Sequence, residues 1–329
     1  MTKNPKNPVE HPGVAILTPV YNEEDNLHRY EQAISEILLS RSEYDFRVLF
    51  IDDGSADRSW EIIKEMCGRD SRFRGIRLSR NYGSHVALSA GFSNADGDAV
   101  ATLSCDLQDP PEVILELLEK WKAGAKIVWG QRRLGGDRGW NKIAGKIFYS
   151  LVHRFAMPKG VPLNTGSLFL VDRAVAECYR RFAEHNRNIF TLFAWTGFEQ
   201  DVVVYDRRPR EAGSSGWNFS KKLKALYDAF IGYSLLPIRL MTMLGIGVFL
   251  FSIILAAFML YCRFTGNPVE GYTNLILVMS FFFGIQFLLM GLVGEYLYRI
   301  YTEVVRRPLY FISDNTNPSE KSGNGEVIR

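Results

Sequence analysis

The feature that most constrains this chain is a pair of long uncharged apolar runs in its last third. The first run extends from Leu240 to Tyr261 and the second from Tyr272 to Gly294. Each run exceeds the roughly 20 residues that a helix needs to cross a bilayer. The runs therefore predict two transmembrane helices. The alternative, a pair of buried core helices, would need a large surrounding shell, whereas only a polar tail follows Tyr301.

Basic residues flank this pair of runs on the outside. Seven lie just before the first run or after the second, namely Lys221, Lys222, Lys224, Arg239, Arg299, Arg306 and Arg307. The short polar connection between the runs holds only Arg263. Because cytoplasmic flanks carry the excess of Lys and Arg, we expect a hairpin with both termini in the cytosol. For a bacterial chain this means a multi-pass protein of the inner membrane.

The region before the hairpin alternates strand-like apolar runs with amphipathic stretches. Five such runs are VAILTPV, FRVLFIDD, FRGIRLS, AVATLSCD and AKIVWG. Strands that alternate with helices predict an α/β fold with a mostly parallel sheet covered on both faces. Ligands then bind beyond the carboxyl ends of the strands.

These patterns divide the chain into five predicted parts. The segment before the hairpin mixes aromatic residues with lysines, which indicates an interfacial helix or, alternatively, an amphipathic helix packed on the soluble domain. The polar residues 313–329 are predicted to be disordered. We expect a flexible leader (1–13), a catalytic domain (14–214), a juxtamembrane segment (215–236), the transmembrane hairpin (237–300) and a cytosolic tail (301–329).

Composition excludes two classes of protein. The chain has 39 Lys and Arg residues against 36 Asp and Glu residues, a net charge of +3, which is too small a surplus for a dedicated nucleic-acid binder. Its four cysteines form no CxxC pair. Neither a zinc site nor a disulfide framework is therefore predicted, and a reducing cytosol suits these thiols.

Polar motifs follow the first two predicted strands. Residues 18–24 read TPVYNEE and residues 52–57 read DDGSAD. A carboxylate at a strand end can accept hydrogen bonds from a base or a ribose, and a proline-aromatic edge can pack on a base. Neither of the Gly-rich phosphate-loop motifs occurs. Taken alone, each motif is equally typical of turns and helix caps.

Asp106 ends the predicted strand AVATLSCD, and Gln108 lies two residues further on. Two residues apart on an extended segment, their oxygens would point to the same side and could share a divalent cation with the phosphates of a nucleotide. The alternative is a polar loop in which Asp109 starts a helix with Pro110 in its first position. That alternative does not explain Asp106 and Gln108.

Together these segments resemble glycosyltransferase family 2 with the GT-A fold. Within it, the chain is most similar to bactoprenol glucosyltransferases and more distantly to dolichol-phosphate mannose synthases. The resemblance is carried in order by PVYNEE, IDDGSADRS, SRNYGSHVALSAGF, CDLQDPPE, WGQRR, YDRRPREAGSSGW, and LLPIRL with two spans and GEYLYRIYTEVVRRPLY. It implies a Mg²⁺ or Mn²⁺ ion at Asp106 and Gln108, and a homo-oligomer. It also implies that six residues bind the donor, namely Pro19, Tyr21, Glu23, Asp53, Ser104 and Asp106.

Two serines depart from the family pattern. Many relatives carry Asp where this chain has Ser104, so the usual DxD becomes SxD. Many also read TGDFR where this chain has Ser167 in place of the acidic residue, so no active-site role is assigned there. A third departure is Ser84 with His85 after the NxG, where relatives often carry Lys or His.

Basic residues after WGQ and in YDRR suit an acceptor phosphate, because guanidinium groups donate in a bidentate fork. We expect Arg132, Lys142 and Arg208 to bind it, with Asp106, Arg132 and Lys142 as the catalytic residues. The alternative is a solvated basic face near anionic lipid. For Arg207 this alternative is as well supported as phosphate binding. For Arg132, which directly follows a strand, phosphate binding is favoured.

The resulting hypothesis is a membrane-anchored inverting transferase. It moves a hexose from a nucleotide sugar to polyprenyl phosphate, with UDP-glucose and undecaprenyl phosphate favoured by the resemblance. Two alternatives remain at this point. One is a processive polysaccharide synthase, disfavoured because two spans do not readily enclose a polymer channel and no QxxRW sequence occurs. The other is a non-catalytic membrane adaptor on a transferase scaffold, supported only by Ser104 and Ser167.

Overall fold

The computed structural model describes residues 11–133, 165–182, 184, 188–208, a discontinuous set between 241 and 265, and 271–316. The chain divides into two compact units. The first unit consists of Met1–Tyr149, Pro158–Gly216 and Pro308–Arg329, and the second consists of Ser150–Met157 and Trp217–Arg307. Of the predicted parts, residues 1–10 of the leader, the juxtamembrane segment, nine residues of the first apolar run and the tail after residue 316 lie outside the described residues.

The first unit is built on one sheet of eight strands in the order β7-β5-β6-β4-β1-β2-β3-β8. The pairs β1 with β2, β2 with β3, β1 with β4 and β5 with β7 are parallel, whereas β6 and β8 run antiparallel to their neighbours. The predicted mostly parallel α/β sheet is therefore confirmed. The strands are β1 (Gly13–Val20), β2 (Asp45–Asp52), β3 (Phe73–Leu78), β4 (Ala99–Thr102), β5 (Ile127–Arg132), β6 (Thr165–Asp172), β7 (Gln200–Tyr205) and β8 (Ile312–Asn315).

Six helices are described in this unit. Four of them fall on stretches that the sequence predicted to be helical, and the two after β6 were not predicted. They are α1 (Glu24–Ile37), α2 (Ser59–Arg69), α3 (Ser84–Asn94), α4 (Val113–Lys122), α5 (Arg173–Arg181) and α6 (Ile189–Trp195).

Both faces of the sheet are buried, which explains why the central strands β1 and β4 are almost wholly apolar. On β1, Val14 and Ile16 belong to one core cluster, whereas Ala15 and Leu17 belong to the cluster on the opposite face. Successive side chains of a strand point to opposite faces. Each fully buried aliphatic side chain contributes about 1.5–3 kcal/mol, so the two clusters hold the strand ends in fixed positions.

The C-terminal tail contributes an edge strand, β8, that the sequence did not predict. The expected disorder of residues 313–329 is wrong for Ser313–Asn315, which pair antiparallel with β3. Asp314 also accepts a hydrogen bond from Trp60 Nε1 at 3.1 Å, and the Thr316 N–H donates to the Gly75 carbonyl at 3.0 Å. The physical reason is the unpaired edge of β3, whose backbone groups offer a partner to any extended segment.

The second unit contains helix α7 (Tyr272–Val305) of 34 residues. Over the described residues, one stretch is long and apolar enough to cross a membrane, Phe281–Val305 in this helix. At 1.5 Å per residue the whole helix is about 51 Å long, longer than a hydrocarbon core of about 30 Å. The helix therefore continues beyond the predicted hairpin end at residue 300, and it ends where Arg306 adopts a left-handed conformation.

Candidate active site

The loops after β1, β2 and β4 meet at one edge of the sheet. The chain runs from β1 through β2 to β3 on one side, and β4 then lies on the other side of β1. In open α/β sheets, ligands bind in the crevice at such a switch point. The motifs PVYNEE, IDDGS and SCDLQ lie on these three strand ends, so the fold brings together the donor residues that the sequence predicted.

Reciprocal hydrogen bonds join the loops after β1 and β2. The Asn22 N–H donates to Ser55 Oγ at 3.0 Å, and the Ala56 N–H donates back to Asn22 Oδ1 at 2.8 Å. The Glu23 N–H donates to Ser59 Oγ at 2.9 Å. Asn22 has a φ of 54°, a left-handed conformation that Asn tolerates better than most residues. The two loops therefore form one rigid platform.

Tyr21 and Pro19 present the exposed side of this platform. The Tyr21 ring is 46% exposed and Pro19 is half-buried. Glu23 Oε2 accepts a hydrogen bond from Asn26 Nδ2 at 2.5 Å, which orients its carboxylate. An exposed aromatic ring on a rigid loop can pack against a nucleobase. The roles of these residues in donor binding stay predictions.

Asp53 connects the platform to the loop after β3. It is 3% exposed, and its two carboxylate oxygens accept hydrogen bonds from the N–H groups of Tyr82 and Gly83 at 2.8 Å each. Burial raises the pKa of Asp53, and the two backbone hydrogen bonds only partly offset that rise. The structure thus gives Asp53 a loop-fixing role beside its predicted contact with the nucleotide.

Gly54 allows the same two loops to approach closely. Its φ is +72°, and a Cβ at this position would lie 2.6 Å from the Arg80 carbonyl carbon. Only glycine adopts this conformation without strain and leaves room for the Arg80 backbone. The Gly in DDGS is therefore explained by geometry.

The segment that carries Asp106 and Gln108 is a turn and not the extended strand end that the sequence predicted. β4 ends at Thr102, and Leu107 has a φ of 51°. Asp106 Oδ1 accepts a hydrogen bond from the Gln108 N–H at 3.2 Å. The expectation that the two side chains point the same way along an extended chain is therefore wrong, because Asp106 folds back in an Asx-type turn.

The side chains in this turn still fit a divalent cation. They offer one carboxylate from Asp106, one amide from Gln108 and one hydroxyl from Ser104. In the part of the chain that the structure describes, no three His, Cys, Asp or Glu residues gather to hold a metal by themselves. Mg²⁺ is commonly held by one or two carboxylates together with substrate phosphates. The donor set therefore fits a cation that is shared with a diphosphate.

Asp109 does not start a helix. Helix α4 begins at Val113 with Glu112 in the N-cap position, and no side chain caps it. The alternative that the sequence left open for Asp109 is therefore wrong. Its side chain turns inward and is 1% exposed.

A polar cluster surrounds the Asp109 carboxylate. Oδ1 accepts from Tyr205 Oη at 2.7 Å and lies 3.8 Å from Arg207 Nε. Oδ2 accepts from Arg132 Nη2 at 3.0 Å and from Ser167 Oγ at 3.1 Å. Each oxygen thus holds one hydroxyl and one guanidinium group. Residues from β5, β6 and β7 converge on the loop after β4.

Electrostatics follow from this arrangement. Burial disfavours the charged form of Arg132, but the Asp109 carboxylate outweighs that effect and raises the pKa of Arg132. Burial, followed by the charge of Asp109, raises the pKa of Tyr205 well above its usual value. At neutral pH, Arg132 is therefore a cation and Tyr205 a neutral hydrogen-bond donor.

Arg208 is the second predicted phosphate-binding residue that the structure describes. Its N–H donates to the Gln108 carbonyl at 2.8 Å, and its guanidinium lies 3.0 Å from Glu112 Oε1 in an exposed ion pair. The end of β7 is thus attached to the turn that carries Gln108. Lys142, the third predicted residue, lies outside the described residues.

Sequence analysis missed the cluster around Asp109. Its members lie at positions 109, 132, 167, 205 and 207, too far apart for any local spacing to connect them. One sequence feature could have indicated it. The apolar run QDVVVY is followed by Asp206, Arg207 and Arg208, so it predicts basic residues at the end of a strand.

The sheet order and the switch-point loops define a Rossmann-like α/β domain of the GT-A class. The model of the family described as Glycosyl transferase family 2 matches residues 15–180. The chain belongs to this family and is a glycosyltransferase.

Several proteins are similar to it over most of their length. An uncharacterised glycosyltransferase from Synechocystis is 38% identical over 92% of this chain and 95% of its own. A bactoprenol glucosyl transferase of Shigella flexneri, derived from prophage SfII, is 35% identical over 93% of this chain and 99% of its own.

Solved structures are more distant. A mannosyltransferase from Pyrobaculum calidifontis in complex with GDP-Man and Mn²⁺ is 18% identical, with a TM-score of 0.44 over 61% of this chain and 59% of its own. A glucosyl-3-phosphoglycerate synthase from Mycobacterium tuberculosis is 15% identical, with a TM-score of 0.45 over 67% of this chain and 78% of its own.

Proposed function

We propose that this glycosyltransferase transfers glucose from UDP-glucose to undecaprenyl phosphate on the cytosolic face of the membrane. The observation that carries the proposal is the 35% identity to a bactoprenol glucosyl transferase over 93% of the chain. The similarity therefore extends past the sheet domain into the apolar C-terminal third. In the reaction, an acceptor phosphate oxygen bonds to the anomeric carbon, the bond from that carbon to the donor diphosphate breaks, and UDP leaves. Attack opposite the leaving group inverts the configuration.

The donor is assigned to the platform formed by the loops after β1 and β2. Tyr21 and Pro19 pack against the base, while Glu23 and Asp53 lie near the ribose. Ser104, Asp106 and Gln108 lie at the next strand end, where the diphosphate would sit. Asp106 and Gln108 would hold a Mg²⁺ or Mn²⁺ ion, which would neutralise charge on the leaving diphosphate.

The ionisation of the acceptor explains why the reaction can proceed with Ser167 in place of an acidic residue. A phosphate monoester has a second pKa of about 6, so it is largely dianionic at neutral pH. A sugar hydroxyl needs a base to remove its proton, whereas this nucleophile does not. The residues of this chain then act by positioning and by charge stabilisation, with Arg132, Lys142 and Arg208 on the acceptor phosphate.

The position of β8 supports the membrane hairpin. Residues 312–315 pair with β3, so the chain before the apolar runs and the chain after them lie on one side of any membrane. The number of crossings between them must be even. If the apolar stretch of α7 crosses once, a second crossing must precede it, and the uncharged run from Leu240 to Tyr261 is the segment suited to it.

Cysteine labelling tests this topology. The native Cys262 lies beside the connection, so the four native cysteines are first replaced by serine. We expect Asn267→Cys to react with an impermeant maleimide from the periplasmic side of intact cells. Gly323→Cys should react only after the membrane is opened. Equal labelling of both positions in intact cells would refute the hairpin.

The proposed reaction is tested with a panel of radiolabelled nucleotide sugars. Membranes that contain the full chain are incubated with undecaprenyl phosphate, and the product is extracted into organic solvent. We expect label from UDP-glucose in a lipid product that mild acid cleaves to glucose. Long polymer in the extract would favour a processive synthase. No turnover of any donor would favour a non-catalytic adaptor. The same preparation, run on a sizing column, tests the expected homo-oligomer.

A further inference from the structure

The buried carboxylate of Asp109 has no part in the reaction as described so far. It lies in the same loop as Asp106 and Gln108, but its side chain faces the ends of β5 and β7. Burying a carboxylate is costly unless it is paired. Here the pairing involves two arginines, Arg132 and Arg207, one on each oxygen.

We propose that Asp109 is a positioning residue that holds Arg132 and Arg207 as a pair toward the acceptor phosphate. The proposal makes Arg207 a further phosphate-binding residue, and it rests on the proposed function. The exposures support this orientation. The Asp109 side chain is 1% exposed, whereas the side chains of Arg132 and Arg207 are 25% and 42% exposed. An approaching anion therefore meets guanidinium groups and not the carboxylate behind them.

The charges of this trio favour an anionic ligand. Two guanidinium groups against one carboxylate leave a surplus of one positive charge. Without the carboxylate, two like charges at this site would repel each other and separate. With it, the long arginine side chains are fixed before the ligand arrives, which lowers the cost of ordering them on binding.

Tyr205 joins the two halves of the cluster. Its hydroxyl donates to Asp109 Oδ1, and Arg132 Nε donates to the same hydroxyl at 3.4 Å. Ser167 donates to the other oxygen. An aspartate at position 167 would put a second carboxylate against Asp109. The serine therefore suits a site in which Asp109 alone carries the negative charge.

A double-mutant cycle tests the proposal on the full chain in detergent. The variants are Asp109→Asn, Arg132→Gln, Arg207→Gln and the combinations of Asp109→Asn with each arginine change. We measure kcat and KM for undecaprenyl phosphate, and UDP affinity by calorimetry. Because one hydrogen bond to a charged group is lost or misplaced, Asp109→Asn should lower kcat/KM for the acceptor roughly 10- to 100-fold. UDP affinity should stay within about twofold.

Non-additivity is the decisive readout. If Asp109 acts through the arginines, Asp109→Asn should cost less than about threefold in the Arg132→Gln background. Arg207→Gln should raise the acceptor KM at an unchanged melting temperature, since its side chain is partly exposed. Asp201→Asn is the matched control. Asp201 lies near the start of β7, and its exposed carboxylate is 3.0 Å from Lys120 Nζ. Its loss should leave kcat, the acceptor KM and UDP affinity unchanged.

Three results would overturn the positioning role while the wild type remains active. They are full additivity of the two changes, an equal loss of UDP affinity, and an Arg207→Gln variant with the acceptor KM of the wild type. If Asp109→Asn does not fold, Arg207→Gln and Tyr205→Phe decide the question by the same KM measurement. A wild type that transfers no sugar to undecaprenyl phosphate would instead overturn the proposed function.

Discussion

Asp106→Ala should lower kcat by at least about 10³-fold, because the only carboxylate in the turn after β4 that is assigned to the cation is lost. Stabilisation of a leaving diphosphate by a metal is worth several kcal/mol, and each 1.36 kcal/mol is tenfold in rate. EDTA should abolish transfer by the wild type, and Mg²⁺ or Mn²⁺ should restore it. Calorimetry should show that UDP binding by the variant no longer responds to Mg²⁺.

The control for this variant is Asp45→Ala. Asp45 is the first residue of β2, at the opposite end of the sheet from the switch-point loops, and it forms an exposed ion pair with Arg47. Exposed ion pairs contribute little, so activity and stability should be unchanged. Full transfer by the wild type in EDTA would refute the cation site at Asp106.

Gly54→Ala should both destabilise the first unit and weaken nucleotide binding. The added Cβ would meet the Arg80 backbone at 2.6 Å, in a conformation with φ of +72°. A left-handed non-glycine residue costs about 1–2 kcal/mol, and overpacking adds roughly 1–3 kcal/mol. The Arg80 backbone has to move, and the hydrogen bonds from Tyr82 and Gly83 to Asp53 move with it. The melting temperature and UDP affinity should therefore fall together.

Gly68→Ala is the matched control for this change. Gly68 lies in α2, and a Cβ there would meet nothing within 4 Å. Alanine is favoured over glycine in a helix by about 1 kcal/mol, so this variant should melt no lower than the wild type and bind UDP normally. A Gly54→Ala protein that behaves in the same way would show that the two loops do not need their close approach.

The elements with strong local patterns could be predicted from the sequence. Strands β1, β2, β3 and β5 are apolar runs bounded by turn residues, and helices α1, α2 and α4 have apolar faces at helical spacing. The family resemblance also assigned the chain correctly to glycosyl transferase family 2. In these cases the neighbours along the chain carry enough information.

The features that were missed depend on partners far away in the sequence. Strand β8 reads ISDN, which has no strand pattern, and it forms because β3 offers an open edge. Leu107 adopts a left-handed conformation that leucine rarely takes, so the predicted geometry of Asp106 and Gln108 was wrong. The surroundings of Asp109 come from three strands that only the complete sheet brings together.

The eighth strand also determines when the sheet can be completed during synthesis. Residues 312–315 are made after both apolar runs, so the edge of β3 and the indole N–H of Trp60 lack these partners until that segment has left the ribosome. An open edge of this kind invites pairing with other chains. A chain whose apolar runs insert the wrong number of times would deliver this segment to the opposite side of the membrane. The edge of β3 would then stay open, so under the proposed hairpin topology this edge closes only in a correctly inserted chain.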